Sequence, residues 1–139
     1  MEPPSLLYLV KQVELAIRSH LDDLLRPHDL TTATYTALTV LQRGSRTTAD
    51  LARTSFVTPQ AMADIVLALE QRGLVVRHAD PVHGRRRLIT LTRAGRTVLA
   101  GVAPDVAALE DRMTAGLPAP DRGTLRIALE SCRAALRSR

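Results

Sequence analysis

Six arginines and a single acid stand in the twenty residues from Arg77 to Arg96, RHADPVHGRRRLITLTRAGR. That segment carries a charge of +5, as large as the excess of 19 basic over 14 acidic residues in the whole chain. Guanidinium groups present planar, permanently charged forks that match phosphate oxygens, so the chemistry this cluster offers is the binding of a polyanion. The segment also has the pattern of a hairpin: an extended apolar run, a turn containing Pro81 and Gly84, then the strand-like LITL. A basic two-stranded finger can follow a phosphate backbone or reach into a minor groove. Arg85, nearest the tip, is placed for the groove, with Arg86 and Arg87 holding phosphates.

The element before this finger must position it. TPQAMADIVLALEQRGLV has a helix start in Thr58, a proline at the first helical position in Pro59, and a stop at Gly73 followed by Leu74. Met62, Ile65, Val66 and Leu69 form its buried stripe. The residues off that stripe at its N-terminal end are Thr58, Pro59, Gln60, Ala61 and Asp64. Gln60 suits bidentate pairing with adenine, and Ala61 or the Thr58 methyl suits a thymine methyl. Asp64 is repelled by phosphate unless it accepts from a cytosine amine or pairs with an arginine. Upstream, Thr47 and Asp50 stand at capping-box spacing before a short helix beginning at Leu51 and Ala52. Only SFVT separates this helix from the next, which is helix-turn-helix spacing. Arg46, Arg53 and Ser55 complete the expected DNA-facing set.

Further out, Leu6, Val10, Val13, Ile17, Leu21 and Leu24 recur at spacings of three and four, predicting a long amphipathic helix that ends at Pro27. Thr31 or Thr32 caps a second helix with Tyr35, Leu38 and Leu41, stopped by Gly44. After the hairpin, Thr92 caps a helix with Leu99, Val102, Val106, Leu109 and Met113 on one face and a kink expected at Pro104. A last helix follows LPAPD, with Leu125, Leu129, Cys132 and Leu136 on one side. The fold class is therefore mainly α with a small β-hairpin wing: four helices, a hairpin, two helices. The whole chain, 1–139, is expected to be one domain, with a winged helix-turn-helix lobe over 30–92 and helical regions over 5–26 and 93–139. Those outer helices carry stripes too long for one chain to cover, which predicts a homodimer with two recognition helices about 34 Å apart on near-palindromic duplex DNA.

Other classes are disfavoured by what the residues lack. With only Tyr8, Tyr35 and Phe56 as aromatics, there is no stacking platform for single strands. No run is apolar enough to span a bilayer, and the N-terminus lacks a signal-peptide pattern, so a cytoplasmic protein without a membrane partner is expected. Cys132 is alone, and its place on an apolar stripe predicts a buried structural thiol. His78, Asp80 and His83 are close in sequence without spacing that specifies a metal, as are His20, Asp22 and Asp23. No nucleophile elbow or phosphate-binding glycine loop appears, and Ser5, Ser19, Ser45 and Ser55 lack a partner base. The chain is thus expected to be neither an enzyme nor dependent on a cofactor. The competing reading is a dimeric winged-helix module that binds protein and has lost DNA binding, supported by Asp64 and His83.

LTTATYTALTVL, TTADLARTSFVTPQAMADIVLALEQRGLV and DPVHGRRRLITLTRAG are similar to the second helix, helix-turn-helix and wing of the MarR family of winged-helix transcriptional regulators. Asp80, Pro81, Arg85, Leu91, Thr92 and Gly95 match the family's wing pattern. His83 takes the place of a second aspartate, the acid that normally orients the wing arginine. The resemblance implies an obligate homodimer that binds an operator, usually a repressor released by a small phenolic or anionic effector. It also implies an effector cleft between the dimerisation helices and the DNA-binding lobe, where Tyr8, Arg18, His28 and Tyr35 fall by position.

Overall fold

The computed structural model describes residues 2–137. Helix α1 spans Leu6–Leu25, α2 Thr32–Gln42, α3 Thr48–Thr54 and α4 Pro59–Gln71. Strands β1 (Val75–Ala79) and β2 (Arg87–Leu91) form an antiparallel hairpin, followed by α5 (Arg93–Thr114) and α6 (Asp121–Arg137). The expected order of elements is the one observed, with a 3-10 turn added at Arg26–His28. Pro27 sits inside that turn, where its fixed φ and missing N–H are tolerated.

Helix starts are set by hydroxyl caps. Ser5 accepts from the Tyr8 amide at 3.1 Å, and Thr47 and Thr58 accept from the amides of Asp50 and Ala61. At Thr47 the expected box is half formed, because the Asp50 carboxylate is engaged by Arg53 instead of returning to the cap. A full reciprocal box forms at α2, where Thr31 and Thr34 bond each other's amides at 3.2 and 2.8 Å. The α2 start is anchored again by Asp22, whose Oδ1 accepts from the Thr32 hydroxyl at 2.6 Å and its amide at 3.2 Å. Those two bonds, the hydroxyl's first, hold the Asp22 carboxyl below its ordinary range. Asp22 is thus committed to a helix start.

One buried cluster gathers Leu25, Leu30, Leu38, Leu41, Leu51, Met62, Val66, Leu69, Ile89 and Leu91 with Leu99 and Val102 of α5. It joins every element of the helix-turn-helix lobe to the hairpin, so the lobe shares a single core. The strand register pairs Val75 with Leu91 and Ala79 with Arg87. Arg46 adds a single bridge to Ile89 through backbone bonds of 3.1 and 2.7 Å, fastening the segment before α3 to the wing.

The chain divides into two compact units, residues up to Val106 and those from Ala107 onward, and α5 runs through Pro104 into the second. Within the second unit, Arg122 pairs with Asp111 at 2.7 Å and Glu110 at 3.4 Å, and Arg126 reaches Glu110 at 3.5 Å. α6 buries no residue: Ile127, Leu129 and Leu136 are exposed, and so is Cys132. The thiol expected to be buried is exposed in the single chain, because an apolar stripe buries its members only where something covers it. In the first unit α1 buries only Leu25 and leaves Leu6, Leu7, Val10 and Val13 exposed.

Candidate nucleic-acid interface

α3 and α4 are joined by Ser55–Thr58, the four residues expected. Each helix ends in the same backbone device. After α4, the Gly73 amide bonds the Glu70 carbonyl and the Leu74 amide bonds the Leu69 carbonyl, both at 3.0 Å. After α3, the Phe56 amide bonds Arg53 at 3.4 Å and the Val57 amide bonds Ala52 at 3.1 Å. Both are Schellman ends, which require a left-handed residue. Gly73 supplies it at φ +72°, and Phe56 at φ +58°. The Phe56 ring is 90% exposed. Ser55, expected among the DNA contacts, is the C-cap residue of α3 and has its hydroxyl buried without a hydrogen-bond partner among the described residues.

α4 buries Met62, Val66 and Leu69 and turns Thr58, Pro59, Gln60 and Asp64 to solvent, with Ala61 half-buried. Ala63 and Leu67 share the open face and were not singled out from sequence. Their spacing from Gln60, three and seven residues, was a usable signal. Arg72, the first basic residue of this region, donates to the carbonyls of Asp29 at 2.6 Å and His28 at 3.3 Å. It anchors the end of the helix to the turn after α1.

The wing tip is built around Asp80, which is 8% exposed. Its amide donates to the Arg86 carbonyl at 2.8 Å, closing the loop, and the Arg86 amide donates to the His83 carbonyl at 2.8 Å. Its carboxylate accepts from the Val82 amide at 2.8 Å, and Oδ2 lies 3.7 Å from Arg86 Nε. The Val82 bond is the main cause of a carboxyl held below its ordinary range, against the opposing effect of lost solvation; the His83 amide and Arg86 add to it. Behind the tip, His78 Nε2 lies 2.6 Å from the Thr90 hydroxyl, which lies 2.6 Å from that of Ser45. His78 is therefore tied across the hairpin rather than solvated. At the base, the Thr92 hydroxyl donates to the Gly73 carbonyl at 2.7 Å and accepts from the Gly95 amide at 3.1 Å.

These contacts sort the arginines. Arg53 pairs with Asp50, Arg86 with Asp80, and half-buried Arg46 folds back onto the Ser45 carbonyl at 3.1 Å. Among the described residues, Arg85 and Arg87 are exposed and their guanidinium groups have no ion-pair or hydrogen-bond partner. The wing tip thus presents two uncommitted guanidinium groups flanking one that is committed, and Arg77 of β1 is exposed behind them. A surface of this kind, in the same lobe as an open helix N-terminus, can grip phosphate while the helix meets base edges.

Residues 28–86 match the MarR family. The HTH-type transcriptional repressor Mb2911 of Mycobacterium bovis is 35% identical over 124 residues, 88% of this chain and 89% of that protein. The chain belongs to the MarR family. Its fold agrees with that of the MarR family protein Rv2887 of Mycobacterium tuberculosis, solved in complex with salicylic acid: TM-score 0.77, 32% identity, 94% of this chain and 98% of that one. CouR of Rhodococcus jostii RHA1, solved bound to p-coumaroyl-CoA, gives a TM-score of 0.81 at 28% identity over 90% and 89% of the two chains. These similarities establish the winged-helix fold and place the chain among transcriptional regulators.

In this MarR-family chain the residues expected around an effector do not form one cluster. Tyr8 and Arg18 are ten positions apart on α1, about 15 Å along its axis. The Tyr8 hydroxyl accepts from Gln12 at 3.0 Å, and Arg18 is paired with Glu14. His28 is half-buried in the 3-10 turn, and Tyr35 packs against the lobe's core from α2. Among the described residues no group of three or more His, Cys, Asp and Glu could hold a metal ion, and no helix is long and apolar enough to cross a membrane.

Proposed function

We propose that the chain is a homodimeric transcriptional regulator, a repressor released by a small molecule, which binds near-palindromic duplex DNA through α4 and the arginine wing. One observation carries the reading. The open N-terminal turn of α4, with Thr58, Pro59 and Gln60 exposed, is joined through one core to a tip that keeps Arg85 and Arg87 free among the described residues. Gln60 and Ala61 would read base edges, Arg85 would enter the minor groove, and Arg87 would hold phosphate. Asp64 would accept from a cytosine amine, and Arg46 and Arg53 would approach the backbone only by exchanging their present partners.

The exposed apolar residues of α1 and α6 support dimerisation, because surfaces of this kind on a regulator are ordinarily covered by a second copy. The effector would be a small aromatic acid or phenol: relatives were solved with salicylic acid, p-aminosalicylic acid and p-coumaroyl-CoA. Tyr8, Arg18, His28 and Tyr35 would then meet such a ligand in subsets, with residues of both subunits combined. Its place of work would be the cytoplasm, beside the chromosome.

The test is selection of bound fragments from random duplexes by the intact protein, followed by titration with salicylate. Recovery of two-fold symmetric sites, released by the ligand, is the expected result. Asp64, an exposed acid on the helix that would face DNA, favours the alternative of a module that binds protein instead. Failure to select any duplex at low salt would favour that alternative.

A further inference from the structure

Three left-handed residues close helical segments in the first unit: Asp29 at φ +55°, Phe56 at φ +58° and Gly73 at φ +72°. Glycine has no Cβ to clash in this conformation, and aspartate is tolerated there, but a bulky aromatic is a true outlier. The strain at Phe56 would be explained if its ring were packed. It is not: the side chain is 90% exposed, the most exposed of the large apolar residues among those described. Position 56 thus carries two local costs, a strained backbone and a solvated ring, which glycine would remove together. Such outliers gather at functional sites.

Placement indicates the function. Phe56 lies two residues before Thr58, the cap of α4, and two residues of chain span at most about 7 Å. The major groove is about 12 Å wide. A ring held so near the first turn of the recognition helix is within reach of the base edges that this turn meets. The apolar feature available there is the thymine 5-methyl group. We infer that Phe56 is a DNA-contacting residue that gives the chain a preference for thymine beside each α4 footprint. The inference rests on the DNA-binding reading above.

The experiment uses the tightest duplex selected from random 30-mers by the intact wild-type protein, and compares Phe56→Gly and Phe56→Ala. Phe56→Gly is expected to raise Tm by a few degrees, since glycine accepts the left-handed conformation. It is expected at the same time to weaken binding about tenfold, with the slope against salt unchanged because no charge is removed. Phe56→Ala keeps the strain, so it should lose affinity without gaining stability. Replacing thymines one at a time by deoxyuridine removes only the methyl. At one position in each half-site the wild type should lose affinity and Phe56→Gly should not.

Equal affinity of wild type and Phe56→Gly would overturn the role of Phe56 and leave the regulator reading intact. So would a lower Tm in Phe56→Gly, which would make the ring structural, or uracil losses of the same size in both proteins. A wild type that selects no duplex would overturn the regulator reading and this inference together.

Discussion

Asp80 holds Arg86, not Arg85: the carboxylate oxygen stands 3.7 Å from Arg86 Nε, and the same two residues are joined by a 2.8 Å backbone bond. The acid that opens the wing loop and the arginine that closes it therefore lock one another. The two neighbouring guanidinium groups project from this closed loop. His83, which stands where a second acid was expected, contributes its backbone carbonyl to Arg86. The tip does not need that acid to be ordered.

Replacing Asp80 by alanine should loosen the tip without unfolding the lobe. Hydrogen exchange at the Val82 amide is expected to speed up, while amides of α4 stay protected. The pH dependence has a definite sign. The folded carboxyl titrates below its ordinary 3.8, so its stabilising effect is complete well above that value and is lost as pH falls through the folded value. Acid loosening of the wing below about pH 4 should therefore be present in the wild type and absent in Asp80→Ala.

The arginine sorting makes a charge prediction. Each phosphate neutralised contributes about 0.9 to the slope of log K against log salt on duplex DNA. Arg85→Ala with Arg87→Ala, in both subunits of a dimer, should flatten that slope by about 1.8 from the two Arg87 groups on phosphate, and by up to about 3.6 where the Arg85 groups in the minor groove displace counterions as well. Arg86→Ala should change the slope less and raise tip exchange more. Equal effects of the three substitutions would contradict the sorting.

Gly95 is a steric requirement. A Cβ there would lie 2.4 Å from the Leu74 carbonyl oxygen and 2.5 Å from Leu91 Cδ1. Backbone, not just a flexible tip, must then move. Gly95→Ala is expected to cost about 1–3 kcal/mol in denaturant unfolding. An unchanged midpoint would mean that α5 starts differently from the geometry described.

Dimerisation can be tested on the exposed stripe of α6. Leu129→Glu with Leu136→Glu places charge on residues that are already exposed in one chain, so the single chain has little to lose. Sedimentation should shift from dimer to monomer, and the melting temperature should fall and lose its dependence on concentration. A dimer of unchanged stability would place the interface elsewhere.

How much was readable before the structure depended on range. α4 was legible from end to end, because Thr58, Pro59 and Gly73 act on their own backbone within a few residues. The reciprocal cap at α2 was not, since Thr34 does the work usually assigned to Glu or Gln. The one-residue bridge of Arg46 has no periodicity to detect. Three consecutive arginines look alike in sequence; only the closed loop decides which faces Asp80. Ser55 looked like an exposed turn hydroxyl, and Cys132 like a core thiol. Both were decided by what lies beyond the local helix: neighbours that bury the Ser55 hydroxyl, and the exposure of Cys132 among the described residues of the single chain. Phe56 gave no sign at all, because nothing in its neighbours announces a left-handed aromatic.

Binding of duplex DNA through the free arginines is tested by salt titration of the wild-type protein on a selected duplex. Tight binding at 50 mM salt is expected, with a linear loss of log K on the order of 10²-fold or more by 200 mM and two subunits per site. No binding at 50 mM, or binding indifferent to salt, would contradict it.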